Sequence, residues 1–178
     1  MGVSFLGIVV KLLSFIFISL FVSNAFADTP LPAPQSYRTC DVYITVCAHS
    51  EIDQDTTLYS VKGKFKVKEL YKINGWHRSL FISPEGAYVV VGYSGLNLVN
   101  KSATKEEVML KIFKHGKLFR KYTLGQLFNN LDSLKATISH YHWGHIKYVG
   151  FNEIEIETTE GSVFIDPDTG KVYLPTES

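Results

Sequence analysis

The sequence predicts a mainly β protein, with antiparallel sheets built from two blade-like units of four strands each, arranged as a curved sheet or a sandwich, and one short α-helix. Three observations lead there. Short runs rich in β-branched and aromatic residues recur from about residue 57 onward. Glycine, proline and aspartate stand between them where a hairpin has to reverse. A single segment, beginning at Thr123, has helical spacing instead.

Of the 178 residues, the first 27 contain one charge, Lys11, and Leu12 to Val22 is almost unbroken apolar sequence. Ala25-Phe26-Ala27 before the polar Asp28 has the small-x-small form of a signal-peptidase site. Residues 1–27 therefore read as a secretory signal peptide, with an uncleaved anchor as the alternative. The mature protein is then exported, periplasmic or extracellular, and no later segment is long enough to span a bilayer. Residues 28–40, with Pro30, Pro32 and Pro34, read as an extended leader, and residues 41–178 as one β-rich domain. The chain has 18 Lys+Arg and 17 Asp+Glu, which balance once Lys11 is set aside. That neutrality removes the bulk attraction on which non-specific nucleic-acid binding relies, so no nucleic-acid partner is expected.

Cys40 and Cys47 are the two cysteines, in a chain bound for a compartment where disulfides persist. A straight strand between them would hold their Cα atoms about 23 Å apart at about 3.3 Å per residue, whereas a disulfide needs about 5.5 Å. Either the segment folds back on itself or the thiols do not pair.

Strands are expected at Leu58 to Lys62, Phe65 to Ile73, Ser79 to Ser83, Ala87 to Tyr93, Val108 to Lys114, Lys117 to Tyr122, Glu153 to Thr158, Ser162 to Ile165 and Lys171 to Leu174. The intervening turns include Lys62-Gly63-Lys64, Ser83-Pro84-Glu85-Gly86, His115-Gly116 and Asp166-Pro167-Asp168-Thr169-Gly170. The helix starts at Thr123, where Gln126 completes a capping box, and Leu124, Leu127, Phe128 and Leu131 give it an apolar face. The chain also matches itself. The turn at Gly63 aligns with that at Gly116, and Trp76 with its following strands aligns with Trp143, giving units at about 57–95 and 108–174 with a helical insertion in the second. Trp76 and Trp143 are expected as matching core anchors.

The stretch Ser83-Pro84-Glu85-Gly86-Ala87-Tyr88-Val89-Val90-Val91 resembles the strand–turn–strand edge of a β-propeller blade. With Gly75-Trp76, the segment 92–98, the Gly116 to Leu127 run and Ser139-His140-Tyr141-His142-Trp143, the chain from about residue 57 is similar to small exported bacterial proteins of unknown function. The resemblance implies a fold rather than an activity. Two units fall short of the four or so blades that close a ring, which favours an open arrangement. The hairpin from Val163 to Val172 is also similar to the last hairpin of exported PepSY-type modules.

Three groups of residues are candidates for chemistry. On an extended segment His140 and His142 share one face, and His145 follows the Gly144 turn, so the three are a candidate zinc or copper site; apart from such an ion no cofactor is expected. Lys62, Lys64, Lys66 and Lys68 alternate with Val61, Gly63, Phe65 and Val67, which would align four ammonium groups on one face as an anion-binding stripe for a surface polysaccharide or lipid headgroup. Ser139 and His140, adjacent on an extended segment, would point to opposite faces and so form no nucleophile–base pair. No nucleophile elbow, metalloprotease helix motif or glycine-rich phosphate loop occurs. The sequence therefore leads to a non-enzymatic extracytoplasmic module that binds a protein or a surface polysaccharide, with metal binding through the histidines as the alternative.

Overall fold

The computed structural model describes residues 32 and 34–174; the expected signal, residues 1–27, lies outside them. The protein is mainly β. Four strands, β1 (Ser36–Cys40), β2 (Val46–Glu51), β3 (Thr56–Lys62) and β4 (Phe65–Ile73), form a first antiparallel meander. A second contains β5 (Leu80–Ile82), β6 (Val89–Gly92), β8 (Val108–Lys114) and β9 (Lys117–Thr123), while β7 (Leu98–Asn100) leaves it to pair with β11 (His140–His142). With β10 (Lys135–Ala136) on its other side, β11 centres a small three-stranded sheet. The third meander is β12 (Gly144–Val149), β13 (Ile154–Thr158), β14 (Gly161–Ile165) and β15 (Val172–Tyr173).

The hydrophobic pattern explains how these sheets stack. Strand side chains alternate between faces. In β6, Val89 and Val91 join a cluster with Val46, Ala48, Leu58 and Ile73 of the first meander. Val90, with the neighbouring Tyr88, joins a cluster with Trp143, Ile146, Ile154, Ile156 and Val163 of the third meander and its edge. β8 splits in the same way, Phe113 toward the first meander and Ile112 toward the third. The inner strands β6 and β8 are thus buried on both faces, which is why Val89–Val91 and Met109–Leu110 read as apolar runs, whereas β9 is exposed from Lys117 to Lys121. The first and third each have one covered face.

The sheets divide the chain differently from the units 57–95 and 108–174. The first of those spans β3 and β4 and then β5 and β6, the last pair of one meander and the first pair of the next. β1 occupies Ser36–Cys40, inside the stretch read as leader. Its residues pair with β2 from Ser36↔Glu51 to Cys40↔Cys47, and Tyr37 packs against the first core cluster.

The helix, α1 (Leu124–Leu127), is one turn long and begins as expected. The Gln126 side chain accepts from the Thr123 backbone N–H at 2.9 Å, and Leu124 and Leu127 are buried. It stops at Phe128, whose φ −129° and ψ 137° are extended. Leu131 falls instead in a 3-10 turn, Leu131–Ser133. Asn129 and Asn130 explain the early end, because their side chains favour turns and caps over a second helical turn. Asn130 caps the 3-10 turn by accepting from Asp132 N at 3.0 Å, and Glu160 accepts from the backbone N–H groups of Asn129 and Asn130.

Candidate functional site

The most exposed apolar surface and the lysine-rich hairpin meet at one end of the first meander. There the β1–β2 connection folds back as a tight loop, and Cys40 and Cys47 face each other in the register with Cα atoms 4.0 Å apart, joined by a disulfide. Of the two alternatives the sequence left open, the chain takes the fold-back.

Asp41 organises the loop. It is 3% exposed, and its carboxylate accepts from Thr45 N at 2.7 Å, Thr45 Oγ1 at 2.8 Å, Val46 N at 3.0 Å and Glu85 N at 3.1 Å. Burial acts to raise its pKa, but hydrogen bonds from Val46, Thr45 and Glu85 outweigh it, and the carboxyl titrates below its ordinary value. A depressed folded pKa means that the carboxylate's stabilisation is complete above the unfolded pKa, about 3.9, and is lost as pH falls through the folded value. Acid unfolding of Asp41→Asn should therefore lose part of the wild-type pH dependence below about pH 4, while its stability at pH 7 drops by about 2 kcal/mol. Parallel acid titrations of the two proteins, followed by circular dichroism, check this.

With its ends clamped, the loop points its middle outward. Val42, Tyr43 and Ile44 are all exposed, and Ile44 has φ +56°, a conformation a β-branched residue adopts only under constraint. Beside it runs the β3–β4 hairpin, in which Val61 N of β3 donates to Thr45 O at 2.8 Å. Phe65 and Val67 are exposed there, and the Tyr43 ring lies 6.5 Å from Phe151 of the β12–β13 turn.

The four lysines belong to this end but do not form a single-faced stripe. Lys62 closes β3, Lys64 occupies the turn, and Lys66 and Lys68 lie on β4. Lys66 pairs with Val61 and Lys68 with Ser60, consecutive residues whose side chains alternate, because a register shift skips Val67. Lys66 lies 4.6 Å from the centre of the Tyr59 ring, which Arg38 approaches at 5.7 Å. The ammonium groups therefore surround the hairpin instead of lining one side of it.

The histidines are not brought together. His140 and His142 share β11, pairing with Asn100 and Leu98, whereas His145 is on β12 opposite Glu157. Gly144 makes the break. At φ +139° it carries the chain from the small sheet into the third meander, where a Cβ would overlap the Glu157 carbonyl oxygen. Among the described residues no group of three or more His, Cys, Asp or Glu is placed to hold a metal ion. Ser139 and His140 do meet, Oγ to Nδ1 at 2.8 Å, because Ser139 precedes β11 and escapes strand alternation. The pair is exposed and lines neither of the two cavities below.

Trp143 and Trp76 differ. Trp143 is 2% exposed, its backbone N–H donates to Asn97 O at 3.1 Å and its indole N–H to Leu96 O at 2.7 Å. Trp76 is half-buried, and its indole nitrogen has no hydrogen-bond partner among the described residues. The 96–97 loop that holds Trp143 accounts for the difference.

A cavity of about 300 Å³ lies beside Trp143, walled by Phe81, Tyr93, Leu96 and Ile146, with Ser79, Asn97 and His145 as its polar members. Since the indole N–H is committed to Leu96, Trp143 contributes an apolar wall. A smaller cavity of about 190 Å³ includes His77, Tyr93, Glu107 and Lys111. Desolvation, aided by the Lys111 charge, lowers the His77 pKa against the hydrogen bond to Asn74 O. Burial and Glu107 raise that of Tyr93. The sequence reading singled out none of these four residues, since they come from separate strands and loops and share no spacing. Among the described residues no helix is long and apolar enough to cross a membrane. No protein-family model matches the chain, and no curated protein matches it significantly.

Proposed function

We propose that this protein is an exported, non-enzymatic binding module that engages an anionic partner through the end of its first meander. The observation that carries this reading is the adjacency of the clamped 41–45 loop to a hairpin bearing Lys62, Lys64, Lys66 and Lys68, all exposed. Long charged edge strands usually serve only to block edge-to-edge aggregation. Here the apolar residues between the lysines are exposed as well, so the surface has more than a solubilising composition. The Cys40–Cys47 disulfide supports an oxidising compartment outside the cytosol.

Two features favour binding over catalysis. The Ser139–His140 pair stands on an exposed segment apart from either cavity, and the larger cavity is mainly apolar-walled. The test is salt elution of the purified protein from immobilised heparin, a generic polyanion. Wild type should be retained, and Lys64→Gln/Lys68→Gln should elute at distinctly lower salt, since surface attraction is screened and scales with the charges present. Equal elution of the two proteins would remove the reading.

A further inference from the structure

We infer that the anionic partner is a lipid surface, with the 41–45 loop and the β3–β4 turn entering the headgroup layer of an acidic bilayer. This rests on the reading of the lysine-bearing end as an anion-binding surface. It goes further by assigning a role to the aliphatic side chains that a polyanion in water would leave unused.

Composition and geometry both favour lipid. Val42 is 75% exposed and Phe65 78%, with Tyr43 and Ile44 also more than half exposed. A hydrated polysaccharide offers sugar faces on which an aromatic ring can stack, but little for the aliphatic Val42 and Ile44 to bury against. A bilayer interface takes up both kinds, and it pairs apolar entry with attraction of nearby lysines to acidic headgroups. The two segments are side by side, joined by the Val61 N to Thr45 O bond of 2.8 Å, so their side chains can enter one surface together. Lys62 and Lys64 lie at the same turn as Phe65, with Lys66 and Lys68 following on β4, which surrounds the apolar residues with positive charge.

The carboxylates of this end oppose the attraction only in part. Asp41 is buried beneath the loop under four hydrogen bonds, and Glu69 lies 4.0 Å from Lys72. Against the four lysines stand Glu85, exposed on the neighbouring turn, and Glu153, exposed on the β12–β13 turn that carries Phe151.

The loop is also prepared for such a task. Its conformation, with Ile44 at φ +56°, is fixed by the disulfide and by Asp41 before any partner arrives. Little ordering cost then remains on contact. A loop shaped only by its own propensities would not hold a β-branched residue there. Tyr43 at the tip suits the interface, where an aromatic body enters and a hydroxyl stays wet.

The experiment is co-sedimentation of the purified protein with vesicles of phosphatidylcholine alone or of phosphatidylcholine with 30 mol% phosphatidylglycerol, a fraction of about one third chosen to give an acidic surface. Wild type should sediment with the acidic vesicles and not with the neutral ones. Lys64→Gln/Lys68→Gln should weaken binding roughly thirtyfold, the expected loss for two lysines near the surface. Tyr43→Ser/Phe65→Ser should weaken it at least about tenfold while leaving thermal stability unchanged, since both side chains are exposed and contribute through apolar transfer. Retention on heparin without sedimentation on acidic vesicles would overturn the lipid assignment and leave a soluble polyanion as the partner. Unchanged vesicle binding by the Tyr43/Phe65 variant would overturn apolar entry. Absence of both heparin and vesicle binding would reject the underlying reading itself.

Discussion

Replacing Trp143 by alanine is expected to destabilise the protein by about 3–5 kcal/mol, the range for truncating a buried aromatic. The side chain is 2% exposed and belongs to the cluster that joins the second and third meanders through Val90, Ile112, Ile156 and Val163. Its loss opens a cavity between two sheets, and strands paired on both edges cannot easily close it. The indole bond to Leu96 is lost as well, which frees the 96–97 loop that lines the larger cavity. Because domains are stable by only about 5–15 kcal/mol, urea unfolding should show a large fall in midpoint. Trp76→Ala should cost distinctly less, since that ring is half-buried and its N–H has no partner to lose. Equal losses for the two variants would mean that the residues are equivalent core anchors after all.

Removing the disulfide with Cys40→Ala/Cys47→Ala is expected to cost about 2.5 kcal/mol on the chain-entropy account of a short closed loop. The bond links cysteines seven residues apart, so the constraint it places on the unfolded chain is modest. Its larger effect should be local. Without it, β1 is held by its pairing with β2 and by Tyr37, and the 41–45 loop relies on Asp41 and the Val61–Thr45 backbone bond to keep Ile44 at positive φ. Equilibrium unfolding measures the global cost. Amide exchange at residues 42–45 measures the local one, and should rise well above wild type even under native conditions.

Much of the architecture could be read from side-chain pattern. β4 and β8 fall where alternation and turn chemistry placed them, from Phe65 to Ile73 and from Val108 to Lys114. The capping box at Thr123 marks the true start of α1, because a cap is a local hydrogen-bond arrangement that four residues specify. What escaped was non-local. β1 has the composition of a leader, and it becomes a strand because β2 is folded against it. The length of α1 is set by Asn129 and Asn130 turning toward Glu160, thirty residues away, against the apolar spacing that extends to Leu131.

The site was partly legible for the same reasons. The lysines were visible as a repeat, but alternation assigns one face only while the register is unbroken, and the shift at Val67 separates Lys66 from Lys68. Spacing gathered the three histidines, whereas the φ of Gly144 sends His145 into another sheet. Val42, Tyr43 and Ile44 look like an ordinary buried strand in the sequence. Their exposure follows from the Cys40–Cys47 fold-back and the burial of Asp41, neither of which apolar composition reveals.

The central claim is that this clamped, lysine-flanked end is the binding surface, and the most direct test is amide hydrogen exchange of the whole protein with and without saturating heparin. Slowed exchange confined to residues 41–46 and 60–70 is the predicted result. Protection centred instead on the cavity segments, residues 92–97 and 143–146, or no protection anywhere, would contradict it.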